Sequence, residues 1–206
     1  LSFPSLYETA KDQRGNDTGK YSIQLLIPKS DKATYEALQT ALRDTIEEKY
    51  GAKPPKGLKL PIKDGDELAE EKDRAETVGM WVLNATTKNQ PGVVDQSTKR
   101  ILTKKERQRL EEKAEVDASA AELLAKTSDL TDEDMYPGCW CRATLNTYPW
   151  GPNEGGIGIS FGLVNVQKLK DDDSFSGRSN PDNDFDPVDD DMGEADEDAQ
   201  MKALMG

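Results

Sequence analysis

The sequence predicts an α+β fold, mainly β, organised as a small, partly open β-barrel with helices between its strands. Three observations carry this expectation. Segments 20–27, 77–87, 136–150 and 157–169 alternate in polarity with the period of two that belongs to half-buried strands. Between the first two, residues 31–50 change to the helical period. Gly158 and Gly162 stand where a long strand has to bend for a barrel to close.

The elements follow in chain order. In KYSIQLLI (20–27), Tyr21, Ile23, Leu25 and Ile27 form one face and Lys20, Ser22 and Gln24 the other, which is a strand with one wet side. Pro28 ends it. Ser30 or Asp31 then offers a side-chain oxygen to cap a helix whose Tyr35, Leu38, Leu42 and Ile46 recur at helical spacing until Gly51. From Lys49 to Lys63 there are five lysines and no acid, and Pro54, Pro55, Gly57 and Pro61 break regular structure, so this reads as a cationic loop. Asp64 to Glu76 reverses the sign, with seven acids against two bases, and reads as a solvated turn before the strand 77–87. There Gly79, Trp81, Leu83 and Ala85 oppose Met80, Val82, Asn84 and Thr86.

Residues 89–95 (NQPGVVD) read as a turn, and a second basic stretch from Lys99 to Arg109 follows, with Glu106 its only acid. It belongs to a helical insertion over about 97–134. Neither Pro nor Gly occurs between Leu102 and Lys126, and the apolar stripe of Leu110, Ala114, Ala121 and Leu124 is thin, so the helix is expected to project or to touch a second copy. The strongest strand is YPGCWCRATLNTYPW (136–150). Cys139, Cys141, Ala143 and Leu145 fall on one side, and Trp140, Arg142, Thr144, Asn146 and Tyr148 on the other. A turn at 151–156 leads into the returning strand 157–169.

Charge divides the chain in two. The last thirty-six residues, Asp171 to Gly206, hold thirteen acids and two bases, whereas residues 1–170 hold 27 acids and 25 bases. The expected organisation is therefore a folded domain over 1–170 and a disordered acidic tail over 171–206. No apolar run reaches the roughly 18 to 20 residues that a membrane helix needs, and a soluble, cytosolic protein is expected. The two cysteines, Cys139 and Cys141, point the same way along an extended chain and are expected to be buried thiols without a disulfide. With no histidine in the chain, no metal site and no cofactor are expected.

Single-stranded nucleic acid exposes phosphates, which attract Lys and Arg, and base faces, which stack on flat rings whatever the sequence. The side of 136–150 bearing Trp140, Arg142, Asn146 and Tyr148 combines both group types, and the adjoining Trp150 is expected at a hairpin tip, held toward a strand. Trp81 and Phe161 share faces with aliphatic residues and are assigned to the core. Lys20 and Gln24 on the wet side of the first strand, Lys56 and Lys59 in the cationic loop, and Lys88, Lys99 and Arg100 complete the candidate contacts. A competing reading makes the acidic surface a DNA mimic that inhibits a host DNA-binding protein, against which the cationic loops and the aromatic face argue. A metal-dependent nuclease is disfavoured by the missing histidine and by spare carboxylates concentrated in the tail.

The segments KYSIQLLIPKSD (20–31), PGVVD (91–95), YPGCWCRATLNTYPW (136–150) and GIGISFGLVNVQKLKDD with its SFSGRSNPDNDFDP continuation (156–187) resemble a bacteriophage family of single-stranded DNA-binding proteins, first known as a domain of unknown function. The resemblance implies a five-stranded, partly open OB-fold barrel and non-catalytic coating of single-stranded DNA in phage replication and recombination. It also implies an acidic tail like that of the T7-type phage proteins. The expected setting is the cytoplasm of the infected bacterium. Phage or host replication proteins are expected as partners of the tail, and self-association along DNA is expected as well. Two features depart from the family pattern. The 97–134 stretch is longer than the resemblance implies, and the chain ends in Ala-Leu-Met-Gly rather than an aromatic residue.

Overall fold

The computed structural model describes residues 1–152 and 156–175. Within these residues, nine strands form one curled sheet: β1 (Ser2–Ser5), β2 (Tyr21–Pro28), β3 (Ile62–Asp64), β4 (Met80–Thr87), β5 (Gly92–Val94), β6 (Arg100–Leu102), β7 (Thr127–Thr131), β8 (Trp140–Trp150) and β9 (Gly158–Lys170). Among the described residues, four α-helices accompany it: α1 (Lys32–Tyr50), α2 (Gly65–Lys72), α3 (Lys104–Ala114) and α4 (Ala118–Ala125). The predicted mainly-β, partly open barrel is present as a half-barrel. Its sheet exceeds five strands because segments of three to five residues have been added at its margins, too short to show a period of their own.

β9 organises the sheet. One of its edges pairs antiparallel with β8 from Trp140↔Lys170 to Trp150↔Gly158. The other edge is shared in parallel register, first with β4 (Ala85↔Phe161, Thr86↔Gly162) and then with β5 (Gly92↔Asn165 to Val94↔Gln167). Thirteen residues span roughly 43 Å, more than either short partner covers, so the strand curls from one to the other. Register shifts near Trp140 and Thr144 add to that curl.

The inner face carries Ile23, Leu25 and Ile27 of β2, Leu83 and Ala85 of β4, and Ile159, Phe161, Leu163 and Val166 of β9, all buried. Burial of each large side chain contributes about 1.5 to 3 kcal/mol. α1 lies across the open seam between β2 and β8. Asp31 caps it through the Thr34 amide, Leu42 enters the core, Tyr35 stacks on Trp81 at 4.5 Å, and Thr45 shares a hydrogen bond with Thr147 of β8. No helix among the described residues is long and apolar enough to cross a membrane.

Several local expectations change. Residues 64–76 are not a solvated turn: Asp64 caps α2 through the Asp66 amide, and Asp66 and Glu67 occupy its first turn, where carboxylates favour the positive end of the helix dipole. A short 3₁₀ turn, Ala75–Thr77, follows, and the strand begins at Met80. α2 and this turn cover part of the outer side of β4, which accounts for the burial of Leu68, Thr77 and Val82. The 89–95 turn contains β5. The 97–134 insertion is two helices rather than one, a hairpin broken at Glu115–Asp117 and bracketed by β6 and β7, which pair in parallel. Cys139 is fully buried but Cys141 only half, and both are free thiols.

Candidate nucleic-acid interface

The sheet's outer face is read directly from its register. Along β8, Trp140, Arg142, Thr144, Asn146 and Tyr148 are all exposed while the residues between them are half-buried against the core and α1. Same-face neighbours stand about 6.8 Å apart, so Trp140 to Trp150 spans roughly 34 Å. Crossing the strands, Arg142 lies level with Gln167, Val94 and Arg100, and Asn146 with Gly162, Thr86 and Ser22. The sheet therefore joins residues far apart in sequence into transverse rows.

Two glycines shape the surface. A Cβ at Gly162 would lie 1.9 Å from the Asn146 carboxamide oxygen, and one at Gly158 2.6 Å from the Trp150 ring, so both side chains lie down on β9 only because those positions are bare. Trp150 is consequently half-buried on the sheet rather than held out at a hairpin tip, with the Lys59 ammonium 6.0 Å from its ring centroid. Lys59 reaches this end because its backbone pairs with the start of β9, through hydrogen bonds to Ile157 and Ile159.

Lys20, Lys88, Asn146 and Tyr148 meet around one open cleft of about 370 Å³, floored by Gly162 and Thr86. At the other end of β8, Trp140 is 38 % exposed, with Lys170 over its ring at 4.8 Å. Arg142 Nε donates to Gln167 Oε1 at 2.6 Å, and Gln167 Nε2 donates to the Asp95 carbonyl at 2.9 Å, so the guanidinium is fixed on the face. Arg100 lies in the same row, Lys99 is exposed in the adjoining turn, and Lys56 is exposed on the 51–61 loop. Gln24 is on the outer side, but its amide is engaged: Arg74 Nη2 donates to it at 2.7 Å, and it donates to Asn84 at 3.0 Å.

Three contributors escaped the sequence reading. Lys170 and Gln167 matter because of what stands opposite them in β8, which is a register property. Asp172 accepts a hydrogen bond from Trp140 Nε1, so the root of the acidic segment touches the face, and that bond holds its carboxyl below the usual range. Asp171 is held low as well, first by the Lys168 ammonium at 2.7 Å and also by a hydrogen bond from the Tyr136 hydroxyl. A larger cavity of about 570 Å³ lies behind β8, bounded by β2 and α1 and lined mostly by apolar groups. Its lining also includes Trp140, Arg142 and Asp172, so it adjoins the face at that end of β8. Among the described residues no three His, Cys, Asp or Glu side chains converge as a metal site would require.

A half-barrel with an uncovered face of rings and cations defines the class of OB-like, polyanion-binding folds. The chain belongs to the family described as the ssDNA-binding protein of Enterobacter phage Enc34, whose model matches residues 1–199. The structure of the single-stranded DNA-binding protein from bacteriophage Enc34 in complex with ssDNA is similar, with a TM-score of 0.60 and 26% identity over 84% of each chain. A second structure of the single-stranded DNA-binding protein from bacteriophage Enc34 gives a TM-score of 0.57 at 26% identity, over 90% of this chain and 85% of that one. The "Putative protein p50" of Acyrthosiphon pisum secondary endosymbiont phage 1 is 28% identical over 188 residues, covering 86% of this chain and 83% of that protein.

Proposed function

We propose that this chain binds single-stranded DNA without catalysis and with little regard to sequence, coating and protecting it in phage replication and recombination inside an infected bacterium. The observation that carries the reading is the outer face of β8 and β9, where Trp140 and Tyr148 alternate with Arg142 and Asn146 and are flanked by Lys20, Lys88, Lys170 and Arg100. Bases stack on the rings and phosphates meet the cations. Each stacked base is worth about 1 to 3 kcal/mol, more than one solvent-screened cation gives, so the aromatic residues dominate affinity.

The acidic tail competes with DNA for this face and, once displaced, recruits replication proteins. The Asp172–Trp140 hydrogen bond supports this reading, because it puts a carboxylate where a strand would approach the indole. Tail residues 176–206 lie outside the described part of the chain.

Quenching of tryptophan fluorescence by oligo-dT tests the reading. Trp140→Ala and Tyr148→Ala are each expected to weaken binding by about 1 to 3 kcal/mol, roughly 5- to 150-fold. Wild-type affinity in both variants would remove the proposed face. Retention of no DNA by the wild type would point instead to a DNA mimic, and shortened products with Mg²⁺ would point to a nuclease.

A further inference from the structure

We propose that Phe3 and Arg74 form a second platform for an unpaired base, on the β1–β2 side of the sheet. This inference rests on the single-stranded DNA reading above and extends it to residues outside the β8–β9 strip. Phe3 is 63 % exposed, the most exposed aromatic ring among the described residues. Its φ of 44° lies in the left-handed region, which is unfavourable for a bulky side chain. Residues kept in such conformations concentrate where a ligand is gripped. A single exposed ring is ordinary on a protein surface, but an exposed ring maintained at the expense of backbone strain is not.

The Arg74 guanidinium lies 5.0 Å from the Phe3 ring centroid. It is held there from two sides, by Gln24 Oε1 at 2.7 Å and by Glu76 Oε1 at 2.8 Å. One face of the ring is thus backed by a fixed planar cation, and its high exposure leaves the other open. The location also fits. Ser2 pairs with Gln24 and Gln24 with Asn84, so this cluster forms the transverse row next to Ser22, Thr86, Gly162 and Asn146, about 7 Å away along β2. A strand lying in the Tyr148 cleft reaches Phe3 by continuing one row further across β4 and β2.

Local charge selects which part of a nucleotide is taken. Arg74 is ion-paired with Glu76 and follows Asp73 directly, so this end gives a phosphate little attraction. A flat ring backed by a delocalised cation suits the π-face of a base.

The test uses the full chain with Phe3→Gly and Phe3→Trp. Glycine tolerates a φ of 44°, so Phe3→Gly is expected to keep or raise the melting temperature while weakening binding to long oligo-dT about tenfold. Phe3→Trp is expected to restore affinity, and oligonucleotides carrying 5-iodouracil are expected to cross-link to the peptide containing residue 3. A folded Phe3→Gly protein with wild-type affinity, together with no cross-link at residue 3, would overturn the platform while leaving the β8–β9 face standing. Loss of binding by Trp140→Ala and Tyr148→Ala reports on that face independently.

Discussion

Asn146 and Trp150 lie flat on β9 because Gly162 and Gly158 leave room for them, and this contact illustrates how the face depends on single atoms. The same resolution applies to the thiols. Burial pushes the Cys141 thiol up to about 11 and raises that of Cys139 as well, because a thiolate would be poorly solvated there. At pH 8 roughly a thousandth of Cys141 is thiolate, so both cysteines are expected to resist iodoacetamide in the native protein and to react at once in denaturant, as read by mass spectrometry. The sign of the linkage follows. The stability gained by keeping Cys141 neutral is complete below the ordinary thiol range near 8.5 and is lost as pH rises through about 11. At this scale the sequence was a good guide, since alternation alone separates Trp140, Arg142, Asn146 and Tyr148 from the core. It misplaced Trp150, because nothing in a strand pattern announces that a ring will settle on a glycine of the neighbouring strand.

Among elements, the α3–α4 hairpin shows how an insertion is fastened. Thr103 and Glu106 form a reciprocal capping box at the start of α3. Arg107 then ties the helix to β7, donating to the Ser128 carbonyl and to Asp129 Oδ1 at 3.0 Å while pairing with Glu111 at 2.8 Å. Its side chain is 19% exposed, so water replaces these bonds poorly. Arg107→Ala is expected to destabilise the protein by about 1 to 3 kcal/mol, measurable by urea unfolding, and to raise hydrogen exchange first in α3 and β7. One helix was expected here, since no Pro or Gly marks the break. Asp117 marks it instead, by capping α4 through the Ser119 amide. The acids of 64–76 misled for the opposite reason. Charge density was taken for solvation, whereas two of those acids sit at a helix N-terminus and favour it.

For the whole molecule, the tail's attachment matters more than its composition suggests. Lys168 is 3% exposed, and its ammonium pairs with Asp171. Phe175 is tied to the Pro137 carbonyl through its amide, so residues 171–175 dock on the body. Truncation after Phe175 is expected to tighten oligo-dT binding at low salt with an unchanged melting temperature. Truncation after Lys170 would strand the buried ammonium and is expected to lower stability by about 1 to 3 kcal/mol. Calorimetry on the two truncated proteins separates these outcomes. Engagement of Lys20, Lys88, Arg100, Arg142 and Lys170 with phosphates would give a log–log salt slope of about −3.5, at about −0.7 per phosphate.

Chain order by itself determined the four long strands β2, β4, β8 and β9, the α1 helix with its Asp31 cap, the outward row of β8 and the concentration of negative charge after residue 170, because periodicity, capping and charge are local properties. Tertiary structure alone decided which distant residues share a row. Arg142 comes level with Arg100 only after β9 has paired with both β8 and β5, Lys170 covers Trp140 through the β8–β9 register, and Arg74 backs Phe3 through the pairing of β1 with β2. Register is a relation between segments, and no single segment encodes it.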